Sequence, residues 1–218
     1  MYYPYMLYNE NCRHEPVFKL KGDPFVIDLS YKNSLLESIK IKDQKKFQMI
    51  LQEKMTPDFS WGFSGYLERR DTVLCNYPQM RVDKRYYHLG VDIIVPLGTD
   101  LHSPLGAEVA DAGYEEGEGN YGCYVLLKHE GNFNTFYSFY GHLNRESLPK
   151  KNTILKAGDP FAKIGDFHEN GFWFHHTHMQ IITQQGLDRG YALKGYCTEK
   201  DLGEMNDLCP SPIPLFKR

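Results

Sequence analysis

The sequence predicts a mainly β protein, an antiparallel sheet or sandwich preceded by an α+β N-terminal extension. Three observations carry that prediction. From about residue 81 to residue 183 short apolar runs alternate with turn residues, as in VDIIVP, TDLHSP, AEVADA, GCYVLLKHE and FNTFYSFYGHL. Gly-rich breaks such as EEGEGNYG separate them. Upstream, residues 34 to 55 repeat Leu35, Leu36, Ile39, Ile41, Phe47, Ile50, Leu51 and Met55 at spacings of three and four, the period of a helix.

In chain order, FVIDLS reads as a strand ending near Ser30. The helical pattern that follows is one helix or two broken near Asp43, and Pro57 ends it. SWGFSGYLERRDTVLCNYP carries Gly and aromatic residues in partial alternation, which predicts strands or a hairpin. A boundary near residue 80 divides an N-terminal extension, 1–80, from the β module, 81–183. DPFAKIGD and THMQIIT are the last strands of that module. Residues 184–218, with Pro210, Pro212 and Pro214, read as a C-terminal tail packed on it.

Composition bounds the function. With 218 residues, 41% of them hydrophobic, the chain is long enough to bury a core. A net charge of -3 gives no basic field for nucleic acid or an anionic membrane. No signal peptide and no apolar run of membrane-spanning length is visible, so the expected location is cytoplasmic by default. The 5 cysteines are odd in number and widely spaced, which suits free thiols; Cys197 and Cys209 are either a pair or two small buried side chains.

The chemistry sits in the histidines. In YYHLGVD, His88 and Asp92 are four apart around Gly90 and converge where the chain bends into a strand. In FHHTHMQIIT, His176, His178 and Gln180 share one strand face, while Thr177, Met179 and Ile181 share the other. These groups supply enough nitrogen and oxygen donors for a catalytic zinc ion, which takes three and leaves a position for water. His142 closes the aromatic run FYSFYGHL. Either motif alone occurs by chance, as HxH on a solvent-facing edge or HxxxD in any loop; together they are specific. His129, His102, His168 and His14 have blander readings as hydrogen-bonded or surface residues, and Tyr86, Tyr87, Tyr140 and Trp173 divide between groove and core.

YYHLGVD, FYGHL and HHTH in this order resemble the lysostaphin and LytM type of zinc metallopeptidase. The flanks VPLGTDLHSPLGAEV and ILKAGDPFAKIGD are similar as well, so that the resemblance spans roughly residues 84–183. It implies the LytM-type β fold and one Zn²⁺ held by His88, Asp92 and His178. His142 and His176 stay off the metal and act on the water and the oxyanion, in an order the motifs leave open. It also implies cleavage of peptide bonds, with peptidoglycan-like cross-bridges among the substrates. Two positions depart from the family pattern: His175 stands where Pro is usual, and Gln180 where an acidic residue is frequent. GDFHENGFWFHHTH and the LCP tail are similar to a subgroup fused to aminotransferase and kinase-like domains. The extension is either an inhibitory cover of the cleft or a packing layer. The alternative to an enzyme is a non-catalytic LytM-like binding or regulatory module, and retention of all five residues favours the enzyme.

Overall fold

The computed structural model describes residues 14–33, 36, 43–57, 59–131 and 134–216. Near the N-terminus β1 (Phe25–Val26) is shorter than FVIDLS suggests. Helix α1 (Gln44–Lys54) begins at Asp43, whose carboxylate accepts a hydrogen bond from the Lys46 amide. Leu36 is helical as well, and α1 begins at Asp43, where a break is expected; positions 34, 35 and 37–42 lie outside the described residues. Gln44, Phe47, Gln48 and Leu51, three and four apart, form its buried face, and Phe47 meets Phe174 edge to face at 5.2 Å.

β2 (Gly62–Ser64) is the only strand found in the stretch expected to be strand or hairpin, among the described residues. Further along, Asp71–Leu74 is instead a single-turn helix, α2, and Pro78 at the end of the stretch opens another, α3 (Pro78–Arg81). The reason is local: Pro78 at the first helical position has a preset φ and no N–H to lose, and Leu74 and Cys75 donate back to Arg70 and Asp71. Partial alternation between aromatic residues does not distinguish such short turns from strands.

The module continues through β3 (Tyr87–His88), β4 (Val91–Ile94), β5 (Asp100–His102), β6 (Ala107–Glu115), β7 (Gly122–Glu130) and β8 (Thr135–Leu143). It then runs through β9 (Ile154–Leu155), β10 (Pro160–Lys163), β11 (His176–Thr183), α4 (Gln184–Asp188), β12 (Tyr196–Cys197) and α5 (Met205–Leu208). Eight of the described strands form one sheet in the order β1, β2, β4, β11, β8, β7, β6, β9. All its pairs are antiparallel except β1 with β2, so the protein is mainly β as the sequence predicts. β10 with β5 and β12 with β3 make two small ribbons.

Alternation sets the faces. Val91, Ile93, Val125, Leu127, Tyr140, Met179 and Ile181 enter the main core on one side, each side chain contributing roughly 1.5–3 kcal/mol of burial. β2 precedes residue 80, yet it joins the same sheet, and Leu215 near the C-terminus is fully buried in the same core. Cys197 and Cys209 are buried free thiols.

Candidate metal centre

Register brings the first residues together. β4 runs between β2 and β11, with Ser64 opposite Asp92 on one side and His178 opposite Asp92 on the other. Cross-strand partners project to the same face, so the three side chains form one row across the sheet. His88, on β3, reaches the row from the short turn containing Gly90. His88, Asp92 and His178 are all buried, and one donor atom from each lies within 4.8 Å of the others. The distances are 2.8 Å from His88 Nε2 to His178 Nδ1, 3.2 Å from His88 Nε2 to Asp92 Oδ1 and 3.6 Å from His178 Nδ1 to Asp92 Oδ1.

Hydrogen bonds on the far sides of the rings fix where the protons are. His88 Nδ1 lies 2.9 Å from the Gly65 carbonyl, which can only accept, so Nδ1 carries the proton and Nε2 a lone pair. His178 Nε2 donates to Gln180 Oε1 at 2.9 Å, which leaves the lone pair on Nδ1. The Gln180 amide is itself oriented by donation to the carbonyls of Tyr191 and Lys194. Gln180 therefore supplies the acceptor a carboxylate would supply, without the charge. Two lone pairs and a carboxylate oxygen thus point at one another inside the protein. Such a set is repulsive by itself and is reconciled by a cation; its N₂O composition fits zinc.

Asp92 divides its oxygens. Oδ2 accepts from Arg70 Nη1 at 2.6 Å and from Ser64 Oγ at 3.0 Å, while Oδ1 faces the imidazoles. Burial alone would raise the Asp92 carboxyl; the Arg70 guanidinium bonded to Oδ2 opposes this, and the group is held well below the usual carboxylate range. Burial, assisted by Arg70, lowers His88 to about 3, so that its ring is neutral and free to ligate.

His142 and His176 stand beside this row, with ring centroids 4.4 Å apart. Each donates from Nδ1 to a carbonyl, His142 to Asn170 and His176 to Phe174, both at 2.7 Å, so each presents Nε2 as a lone pair. Burial is the main cause that holds His142 well below the usual imidazole range and lowers His176 to about 4. His176 Nε2 is 3.6 Å from Asp92 Oδ1, and its ring stacks on Phe174 at 4.1 Å. All five predicted residues are therefore gathered in one place. Asp92, His142, His176 and His178 border a cavity of about 210 Å³ with Trp173 on its wall.

The remaining predicted positions separate cleanly. His175 turns away and meets Asp166 at 3.2 Å. His129 is buried between the Gly106 carbonyl and Ser138 Oγ. Tyr140 is core, while Tyr86 and Tyr87 pack against apolar clusters. His102 lies on β5. Sequence reasoning missed Ser64, Glu68 and Arg70. The tandem Arg69 and Arg70 is the one available hint, but nothing in sequence shows that the second is buried while the first stays half-exposed.

Fold and site together define a β-sheet protein with a buried His, Asp, His cluster able to hold a metal ion. Residues 86–188 match the model of Peptidase family M23. Among solved structures, a zinc containing peptidase from Vibrio cholerae is 22% identical, with 45% of this chain aligned to 28% of that one at a TM-score of 0.39. The lysostaphin catalytic domain from Staphylococcus simulans is 18% identical, over 54% of this chain and 79% of that one, with a TM-score of 0.39. The catalytic domain, in a mutant form, of the prophage-encoded M23 protein EnpA from Enterococcus faecalis is 19% identical, over 51% of this chain and 75% of that one, also at 0.39. The chain thus spans less than a third of the length of the Vibrio peptidase. No curated protein matches it. Among the described residues no helix is long and apolar enough to cross a membrane.

Proposed function

We propose that the protein is a zinc-dependent endopeptidase in which His88, Asp92 and His178 hold one Zn²⁺ and His142 and His176 carry the proton chemistry. The observation behind this reading is the convergence of two imidazole lone pairs and one carboxylate oxygen in a buried site beside two further neutral imidazoles. A zinc ion bound there supplies Lewis acidity, which polarises a scissile carbonyl and brings the pKa of water toward roughly 7.

The chain's own residues do the rest. Nε2 of His142 or of His176 accepts the proton of the attacking water and returns it to the leaving amine. The depressed basicity of both rings suits that return, since a weakly basic imidazolium gives its proton up readily. The imidazolium so formed can donate to the oxyanion before it passes the proton on, while Nε2 of the other ring accepts a hydrogen bond from the attacking water. The cavity takes the segment of an extended peptide around the scissile bond, and short cross-bridge peptides of the peptidoglycan kind are the substrate class that the match to Peptidase family M23 supports.

The test is metal analysis combined with a panel of glycyl, alanyl and cross-linked muropeptide substrates, with chelator and metal add-back. About one zinc per chain is expected, lost in Asp92→Ala, and cleavage that disappears with chelator and returns with zinc. His142→Ala should keep the metal and lose turnover. Stoichiometric zinc retained in both Asp92→Ala and His88→Ala would remove the site assignment, and failure of every peptide against zinc-loaded protein would favour the non-catalytic module.

A further inference from the structure

The matched family segment begins at residue 86, yet the groups that hold the far side of the metal cluster come from residues 64–70. Arg70 is 2% exposed although it is the largest of the fully buried side chains. Its guanidinium makes three bonds: Nη1 to Asp92 Oδ2 at 2.6 Å, Nη2 to Ser64 Oγ at 2.7 Å and Nε to Glu68 Oε2 at 2.7 Å. Glu68 is fixed in turn, because its Oε1 accepts from the Leu29 amide at 2.9 Å. Ser64 Oγ closes the loop by donating to the same Asp92 Oδ2. The neighbouring backbone serves the second ligand: the Gly65 carbonyl accepts from His88 Nδ1, and the Glu68 carbonyl from the His88 amide at 3.1 Å. A buried guanidinium is costly unless every donor has a partner, and here its carboxylate partners are the Asp92 of the cluster and a second carboxylate tied to the backbone.

We propose that Arg70 is a positioning residue of the metal centre, holding Asp92 Oδ2 with Ser64 so that only Oδ1 is offered to the ion. The segment upstream of the family domain is then a structural half of the site, its outer frame, and not a detachable cover. This rests on the metal-site reading proposed above. With Oδ2 held by two donors, Asp92 binds through one oxygen, and the guanidinium draws charge from the carboxylate, which leaves the ion more electrophilic.

The test uses the full chain with Arg70→Lys and Ser64→Ala, Zn²⁺ affinity by competition with a chromogenic chelator, and the visible spectrum of the Co²⁺-loaded protein. Lysine keeps the charge but cannot fork to Ser64, Glu68 and Asp92 together. Partners of metal ligands typically change affinity 10–100-fold, so a loss of about tenfold is expected in each variant. The cobalt absorption should also weaken as Oδ2 joins the coordination. Where Arg70→Lys fails to fold, Ser64→Ala decides alone. Affinities within threefold of the parent protein overturn the proposal, as does weaker binding with an unchanged cobalt spectrum, which would make the contact merely structural. A parent protein that binds no stoichiometric zinc, or Asp92→Ala and His88→Ala variants that both keep it, fails the metal reading itself and is told apart by those controls.

Discussion

At the residue scale the site depends on close approach. Gly90 sits between the two residues of the HxxxD motif, and a Cβ placed there would lie 2.5 Å from the Met179 carbonyl and 2.7 Å from His178 Nε2. The first contact is backbone of the central strand β11 and cannot yield cheaply. Gly90→Ala should therefore cost roughly 1–3 kcal/mol through overpacking and also push the His178 ring off its Gln180 acceptor. Thermal melts and zinc stoichiometry measured together check this, and an alanine variant with the parent's melting temperature and a full complement of zinc would refute it. His142 shows the complementary device. Its φ of +66 places a non-glycine residue in the left-handed region at the end of β8. That conformation is held by hydrogen bonds from the His142 amide to the Tyr121 carbonyl and from the Gly165 amide to the His142 carbonyl. Strain of this kind is tolerated where the surrounding structure dictates the geometry, and here it accompanies the ring that faces His176.

At the scale of elements, α1 braces the run that leads into β11. Gln48 Oε1 accepts from the His175 amide at 2.6 Å and Gln44 Oε1 from the Phe174 amide at 3.1 Å. Both amides are buried and precede the first strand residue, His176, so neither has a ladder partner. Gln48→Leu leaves the His175 N–H without an acceptor and should destabilise by about 1–3 kcal/mol, whereas Gln48→Glu keeps an acceptor and should lose less. Urea unfolding of the two variants checks the order, and a leucine variant at least as stable as the glutamate one would show that the bond is not the cause. These contacts also explain what the sequence revealed. The HxH strand was legible because a period of two is visible in HTHMQIIT itself, and the cluster because its residues lie within recognisable motifs. The braces were not, since Gln48 and His175 are 127 positions apart and nothing local marks either. Arg70 was hidden for the same reason: its partners Asp92 and Ser64 meet it only through the pairing of β2 with β4. The turns α2 and α3 were missed because a single helical turn is too short to show a period.

At the scale of the whole molecule, burying neutral imidazoles couples stability to acid. His129, away from the metal cluster, is the clearest instance. Its Nδ1 donates to the Gly106 carbonyl at 3.0 Å and its Nε2 accepts from Ser138 Oγ at 2.7 Å. Burial lowers it from 6.5 to about 4, with the Gly106 bond opposing. Above pH 6.5 the ring is neutral in folded and unfolded chains alike, and its contribution is fully present. Between 6.5 and about 4 the unfolded chain takes up a proton that the folded chain excludes, so stability falls as pH falls, by roughly 3 kcal/mol for this group once pH reaches its folded value. His176, lowered to about 4, and His88, lowered to about 3, act in the same direction, so the metal-free protein should lose more than His129 alone accounts for. Chemical denaturation in chelator at pH 7, 5.5 and 4.5 measures the whole effect. His129→Gln removes one titrating group, and its stability should fall less steeply over that window, by up to about 1.4 kcal/mol per pH unit. If the glutamine variant shows the same pH slope as the parent, the buried His129 is not the site of the linkage.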